Sequence, residues 1–123
     1  MRDKKAILAI DDDPVQLKLY HNILDINFNV WTVNSATNAI KFLNANAVDA
    51  ILLDISMPNI NGFEFLSDIR KIPSHMTVPI IIISGNTGMD FFNEARSSSA
   101  FDVLSKPVEP DMLVTTIERA LGM

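Results

Sequence analysis

Cysteine is absent from the 123-residue chain, which excludes disulfide bonds and thiolate metal sites and fits a reducing compartment. No apolar run reaches the roughly 18 residues that a membrane-spanning helix needs, and the run behind the charged N-terminus is too short for a signal peptide. Basic residues are fewer than acidic ones, and the resulting net charge of −5 disfavours general binding to nucleic acid. We therefore expect a soluble cytoplasmic protein that binds neither nucleic acid nor membrane directly.

The composition is that of one globular domain. Hydrophobic residues make up 48% of the chain and charged residues 20%, which is ordinary for a folded protein. The length is sufficient for one hydrophobic core but not for two. The sequence contains no repeat, linker or low-complexity segment, so we expect a single domain over residues 1–123.

Five apolar or β-branched runs predict five strands. They cover residues 6–10, 30–33, 50–53, 78–83 and 101–104. Uninterrupted apolar runs are typical of strands that are buried on both faces of a parallel sheet. The run 50–53 leads straight into Asp54, and Met57-Pro58 prevents a helix from starting there.

Apolar residues at helical spacing predict five helices that alternate with these strands. Asp13, Asn34-Ser35 and Asn61 stand where three N-terminal caps are needed, and Thr87 with Asp90 is expected to cap the fourth helix. The predicted buried face of the first helix consists of Leu19, Tyr20, Ile23 and Leu24.

Alternating strands and helices in this length predict a doubly wound α/β sandwich of three layers. Right-handed crossovers favour the flavodoxin-like strand order 2-1-3-4-5 for a five-stranded parallel sheet with five helices. That order places the first and third strands side by side. Asp11, Asp12 and Asp54 then share one crevice at the carboxyl ends of the strands.

Three carboxylates in one crevice need a counter-charge. At about 5 Å and an effective dielectric of 20, each pair repels by roughly 3 kcal/mol. The alternatives are a raised pKa on one carboxyl group or a bound cation, and ligation by oxygen alone selects Mg²⁺ or Mn²⁺. For residues 11–13 a solvated loop with a helix cap remains the other interpretation.

Ser84 follows the fourth strand and Lys106 follows the fifth. Taken singly, such a serine is usually a helix cap and such a lysine faces solvent. Their joint appearance at the edge that carries the aspartates favours a phosphoryl site. Asp54 would be the nucleophile that forms an aspartyl phosphate, and Ser84 and Lys106 would bind the phosphoryl oxygens.

These residues resemble the signature of a receiver (CheY-like) domain of a bacterial two-component response regulator. The matching positions are Asp11-Asp12, Asp54, Met57-Pro58, Gly62, Ser84 and Lys106-Pro107. The resemblance implies that Asp54 is the phosphoacceptor and Asp12 a direct metal ligand. It further implies that Asp11 acts on the metal through water, that the Ser56 carbonyl completes the ligands, and that the Lys106–Pro107 peptide is cis.

The resemblance also implies partners and a mode of action. A histidine kinase or a histidine phosphotransfer domain would donate the phosphoryl group. The face formed by the fourth helix, fifth strand and fifth helix would then switch, acting on a downstream protein or on an output domain that this chain, which stops after its fifth helix, lacks. No enzymatic activity is expected beyond self-catalysed phosphoryl acceptance and autodephosphorylation.

The sequence departs from the family pattern at several positions. Val103 stands where the fifth strand usually has an aromatic ring that swings inward on activation, so coupling through that ring is not expected here. Asn61 replaces the usual aspartate before Gly62, and Ser84 replaces the commoner threonine. Ser56 and Asn86 occupy positions that in the family modulate hydrolysis.

Three other functions are alternatives for this sequence. A phosphatase of the haloacid dehalogenase type needs an aspartate two residues after its nucleophile, where this chain has Ser56. A flavodoxin needs a Ser/Thr/Gly-rich phosphate loop after the first strand, which is missing. A receiver-like scaffold that signals without phosphate is favoured by Val103 but disfavoured by the complete set of polar residues.

Overall fold

The computed structural model describes residues 4–58 and 60–123, so the first three residues of the expected domain lie outside the described part. The strands are β1 (Ala6–Ile10), β2 (Asn29–Val33), β3 (Ala50–Asp54), β4 (Ile80–Ser84) and β5 (Asp102–Ser105). The helices are α1 (Pro14–Leu24), α2 (Ala36–Ala45), α3 (Gly62–Arg70), α4 (Met89–Ser97) and α5 (Pro110–Ala120), with a 3-10 turn at Pro73–His75.

The five strands form one parallel sheet in the order β2-β1-β3-β4-β5, which confirms the predicted topology. All residues of β3 and β4 are buried, whereas the edge strands β2 and β5 are partly exposed. This difference arises because only the inner strands are covered by helices on both faces.

Alternating side chains of the inner strands point into two separate cores. On one face, Leu8 and Leu53 join the buried residues of α2, α3 and α4. On the other face, Ile7 and Leu52 pack with α1 and α5. Burying each such side chain contributes about 1.5–3 kcal/mol. The two cores fix the sheet between two helical layers, and its carboxyl edge remains open for the site.

The buried face of α1 differs from the predicted one at Leu19. Leu19 is 42% exposed, while Leu17, Tyr20 and Leu24 are buried. At about 100° per residue, Leu19 lies some 200° around the helix from Leu17, so the two cannot share a face. The expectation for Leu19 was therefore wrong.

The start of α4 also differs from expectation. Its N-cap is Gly88, and no side chain caps it, so the prediction that Thr87 and Asp90 cap this helix was wrong. Asn86 instead accepts the Gly88 N–H at 2.8 Å one residue before the helix. The other three predicted caps are confirmed, since Asp13, Ser35 and Asn61 each accept a backbone N–H of the helix that follows.

Six strand boundaries shift by one or two residues. β2 begins one residue earlier than predicted, at Asn29, and β3, β4 and β5 each end one residue later, at Asp54, Ser84 and Ser105. β4 begins at Ile80 rather than at residue 78, because Pro79 has no N–H to donate to a neighbouring strand. β5 begins at Asp102 rather than at residue 101. Within residues 4–58 and 60–123, none of the helices combines the length and the apolar character needed to cross a membrane.

Candidate functional site

Three carboxylates meet at the carboxyl edge of the sheet. Asp54 is the last residue of β3, and Asp11 and Asp12 directly follow the neighbouring β1. The structure brings one oxygen atom from each of these carboxylates within 4.8 Å of the others. Asp11 and Asp54 are buried and Asp12 is exposed, so the cluster opens to solvent on the Asp12 side.

Asp11 is the carboxyl group of the cluster in which the negative charge is disfavoured. Its Oδ1 accepts the Asp13 N–H at 2.9 Å, whereas its buried Oδ2 has no hydrogen-bond partner. Burial raises the pKa of Asp11 from 3.8 to about 7, and the negative charge of Asp54 adds to this shift. Keeping two neighbouring buried carboxylates ionised costs free energy unless a cation offsets their charge.

Asp54 is held in the ionised state. Its Oδ1 accepts both the N–H and the hydroxyl of Ser56 at 2.9 Å, and its Oδ2 lies 3.2 Å from the Lys106 ammonium. Burial alone would raise the pKa of Asp54, but the hydrogen bonds from Ser56 and the charge of Lys106 lower it below its ordinary value. An ionised carboxylate is the form that acts as a nucleophile.

Ser84 and Lys106 reach the same edge from the next two strands. Ser84 ends β4, one residue beyond the position that pairs with Asp54. Its backbone carbonyl accepts the Lys106 N–H at 2.9 Å, which ties the two strand ends together. The buried Ser84 hydroxyl accepts the Asn86 N–H at 2.9 Å, so its own proton is free to be donated elsewhere. The Lys106–Pro107 peptide is cis, as expected.

The side chain of Ser56 has a role that the sequence analysis did not assign. The resemblance implied a role for its backbone carbonyl and a position that modulates hydrolysis, and the structure adds that its hydroxyl and N–H both bind Asp54. A short hydrogen-bonding residue two positions from an aspartate is a known signal for such a local turn. That spacing was present in the sequence and could have predicted these bonds.

The donor set fits a hard divalent cation. It consists of carboxylate oxygens, without histidine or cysteine, and the unpartnered Oδ2 of Asp11 is buried within the cluster. Magnesium and manganese prefer such oxygen ligands. Asp11, Asp12 and Asp54 are therefore the residues able to hold the ion.

A groove of about 570 Å³ adjoins the site between the β3–α3 and β4–α4 loops. Ser56, Ser84 and Asn86 line its polar side, and Phe63 and Phe91 line its apolar side. The groove thus borders the site at Ser56 and Ser84.

Solved structures share this architecture. The chemotaxis protein CheY4 of Vibrio cholerae superposes with a TM-score of 0.90 at 27% identity, covering 96% of this chain and 99% of that one. The receiver domain of the sensor histidine kinase PA1611 of Pseudomonas aeruginosa, solved with a magnesium ion in its active-site cleft, has a TM-score of 0.87 at 25% identity and covers 98% and 99% of the two chains.

Curated relatives match the chain over a small part of their own length. The 3',5'-cyclic-nucleotide phosphodiesterase regA of Dictyostelium discoideum is 34% identical over 96% of this chain and 15% of its own. The sensor histidine kinase RcsC of Salmonella typhimurium is 30% identical over 94% and 12%. The chain therefore spans less than a sixth of these two relatives.

The family model described as response regulator receiver domain matches residues 7–118, a range that contains every polar residue of the site. The strand order, the carboxylate cluster and the Lys106–Asp54 pair agree with that match. The chain belongs to the response regulator receiver domain family of two-component signal transduction.

Proposed function

We propose that the chain accepts a phosphoryl group on Asp54 from a phosphohistidine of a histidine kinase or a histidine phosphotransfer domain. The observation that carries this proposal is the convergence of an ionised, buried Asp54 with Lys106 at 3.2 Å and with two further carboxylates. One of the relatives is a sensor histidine kinase, which supports a phosphohistidine as the phosphoryl donor.

In the transfer, an oxygen of Asp54 forms a bond to phosphorus while the N–P bond of the donor breaks. The imidazole nitrogen keeps the electron pair of that bond and then takes a proton. Lys106 offsets the negative charge on the phosphoryl oxygens, and the Ser84 hydroxyl donates its free proton to one of them. Hydrolysis of the aspartyl phosphate returns the protein to its starting state. The proposal includes no turnover beyond this acceptance and hydrolysis of the phosphoryl group.

Asp11, Asp12 and Asp54 would hold Mg²⁺ or Mn²⁺, with the Ser56 carbonyl as a further ligand. When bound, the ion neutralises carboxylate charge and polarises the phosphoryl group. Without it, the negative charge of Asp54, which adds to the effect of burial on the pKa of Asp11, also opposes the approach of an anionic phosphoryl donor.

Phosphorylation would act on the face formed by α4, β5 and α5. The link starts at Ser84, whose hydroxyl binds the Asn86 N–H next to the start of α4. Phe92 and Phe101 are partly exposed on this face and line a groove of about 420 Å³. A downstream protein or an output domain would dock there, and the switch requires only a shift between two existing states.

Incubation with acetyl phosphate and Mg²⁺, followed by intact-protein mass measurement, tests the proposal. We expect the mass of one phosphoryl group to be gained by the wild type, and neither by Asp54→Asn nor in the presence of EDTA. Asp49→Asn is a matched control, because Asp49 binds the Ala6 N–H at the opposite edge of the sheet. An equal gain in Asp54→Asn would show that another residue is phosphorylated and would contradict the proposal. No gain in the wild type would favour a scaffold that signals without phosphate.

A further inference from the structure

Arg70, the last residue of α3, connects two loops at the edge of the sheet opposite the site. Its guanidinium donates to the Ser99 hydroxyl at 2.8 Å and to the Ser99 carbonyl at 3.0 Å. It also donates to the carbonyls of His75 and Val78. One side chain thereby joins α3, the segment before β4 and the segment between α4 and β5.

The partners of Arg70 are neutral oxygens, and within residues 4–58 and 60–123 no carboxylate forms an ion pair with it. A partly buried guanidinium loses hydration, and its fixed fork of donors makes the compensating bonds specific in direction. Arg70 therefore holds Ser99 in one position relative to α3.

The end of α4 next to Ser99 has further local bonds. The Ser98 N–H binds the carbonyls of Glu94 and Ala95, both at 3.1 Å, and the Ser98 hydroxyl binds the Ala95 carbonyl at 2.7 Å. The same hydroxyl accepts the Ala100 N–H at 3.2 Å. The C-terminal end of α4 is thus fixed both within itself and to α3.

The other end of α4 has fewer side-chain hydrogen bonds, although Phe91 in its first turn is buried and its ring lies 5.8 Å from that of Phe63. Its N-cap has no side-chain hydrogen bond, all residues from 85 to 90 are exposed, and Met89 is 74% exposed. A chain of two bonds connects this end to the site: Asn86 accepts the Gly88 N–H at 2.8 Å, and its own N–H is donated to the Ser84 hydroxyl at 2.9 Å. A movement of Ser84 is therefore passed to the first turn of α4.

We propose that the Arg70–Ser99 contact is the fixed point about which α4 moves, so that a change at Ser84 displaces the first turn of the helix and leaves its last turn in place. This proposal rests on the proposed function for the event that moves Ser84, but the anchor itself is independent of phosphorylation. Local stability follows the distribution of contacts, and the hydrogen bonds that join α4 to another helix lie just after its C-terminal end.

Hydrogen exchange read by mass spectrometry tests the anchor in the full chain, with and without acetyl phosphate and Mg²⁺. In the wild type, phosphorylation should change exchange several-fold in residues 86–92 and less than about twofold in residues 95–101. In Ser99→Ala and in Arg70→Lys, the change should extend into residues 95–101, with exchange there roughly fivefold faster, as for the loss of one hydrogen bond. Ser97→Ala is the matched control, because the Ser97 hydroxyl binds only the Asn93 carbonyl inside α4.

Ser84→Ala gives the same test without phosphate. It removes the bond to Asn86 and should alter exchange in residues 86–92 alone, whereas Ser84→Ala combined with Ser99→Ala should alter both segments. Equal changes at both ends of α4 in the single Ser84 variant, or a Ser99→Ala protein that behaves like Ser97→Ala, would overturn the anchor. Absence of phosphoryl mass in the wild type would instead count against the proposed function alone, since the Ser84 comparison still decides the anchor.

Discussion

The Lys106 ammonium lies 3.2 Å from the Asp54 carboxylate, although 52 positions separate the two residues in the chain. Asp54 is nearly fully buried, and the Lys106 side chain is 29% exposed. The pair therefore combines a desolvated anion with a cation that is still in contact with solvent. This is the arrangement in which a positive charge helps to hold an incoming anionic group.

Replacing Lys106 should impair phosphoryl acceptance more than folding. In Lys106→Met we expect mass gain from acetyl phosphate to slow by about 100-fold, the usual effect of removing one group that stabilises transition-state charge. Lys71→Met is the control, because Lys71 is exposed and pairs only with Asp68. A Lys106→Met protein labelled at the wild-type rate would contradict the role assigned to this lysine.

Divalent metal should stabilise the fold in a pH-dependent manner. At 100 times its dissociation constant, Mg²⁺ should raise the free energy of unfolding by about 2.7 kcal/mol. The gain should be larger at pH 8 than at pH 6, because Asp11, with its pKa near 7, is protonated at the lower pH and then competes with the metal. Urea titrations with and without Mg²⁺ at matched ionic strength measure this. Asp12→Asn should remove most of the gain, and an unchanged gain would argue against the metal site.

His75 should make the protein less stable in mild acid. Its ring is buried, Nδ1 is 2.8 Å from the Ser74 hydroxyl, and Nε2 has no partner. Burial lowers the pKa of His75 below its ordinary value of 6.5, so the unfolded chain binds a proton first. The contribution of His75 to the free energy of unfolding is therefore fully present above pH 6.5. It falls as the pH drops below that value, by at most about 1.4 kcal/mol per pH unit.

Urea unfolding of the wild type and of His75→Met between pH 7.5 and 5.5 checks this expectation. The difference between the two proteins isolates His75, because Asp11 contributes equally to both. Replacing His21, which is partly exposed on α1, serves as the control and should leave the acid dependence in place. Identical slopes for the wild type and His75→Met would show that the buried ring does not titrate as expected.

Gly62 leaves the space that Ile55, the residue after Asp54, needs for packing. A Cβ atom at Gly62 would lie 2.4 Å from two side-chain carbons of Ile55 and 2.9 Å from its carbonyl oxygen. Gly62→Ala should therefore destabilise the protein by about 1–3 kcal/mol through overpacking. Gly85→Ala is the control, because nothing lies within 4 Å of a Cβ at that position.

The double variant Gly62→Ala/Ile55→Ala separates the side-chain clash from the backbone clash. It should lose less stability than the sum of the two single variants, because removing the Ile55 side chain relieves the closest contacts. Chemical denaturation of the four proteins measures the coupling. Strict additivity would show that the crowding at Gly62 is not with this side chain.

The strands were predictable because each contains an apolar or β-branched run, and such a run depends only on residues that are adjacent in sequence. Their order followed from the right-handed crossover rule, and the carboxyl ends then brought Asp54 to the edge that carries Asp11 and Asp12. The strand order and the shared edge could therefore be predicted without knowledge of the side-chain packing.

Leu19 and the start of α4 were predicted wrongly for the same reason. Several apolar residues in α1 fit a helical stripe, and only the packing against the sheet selected Leu17 over Leu19. At Gly88, local rules permitted both a cap by Thr87 and a turn in which Asn86 binds the N–H two positions later, and the structure has the second. In each position the local pattern permitted more than one arrangement, and contacts from elsewhere made the choice.

The sequence by itself determined the fold class, the strand order and which polar side chains share one edge of the sheet, because these depend on local periodicity and on the connectivity of the chain. Only the tertiary structure decided the pairing of Lys106 with Asp54, the raised pKa of Asp11 and the contact of Arg70 with Ser99, 29 positions away. The physical reason is that burial, and the distances between residues far apart in sequence, are set by how the helices pack on the sheet.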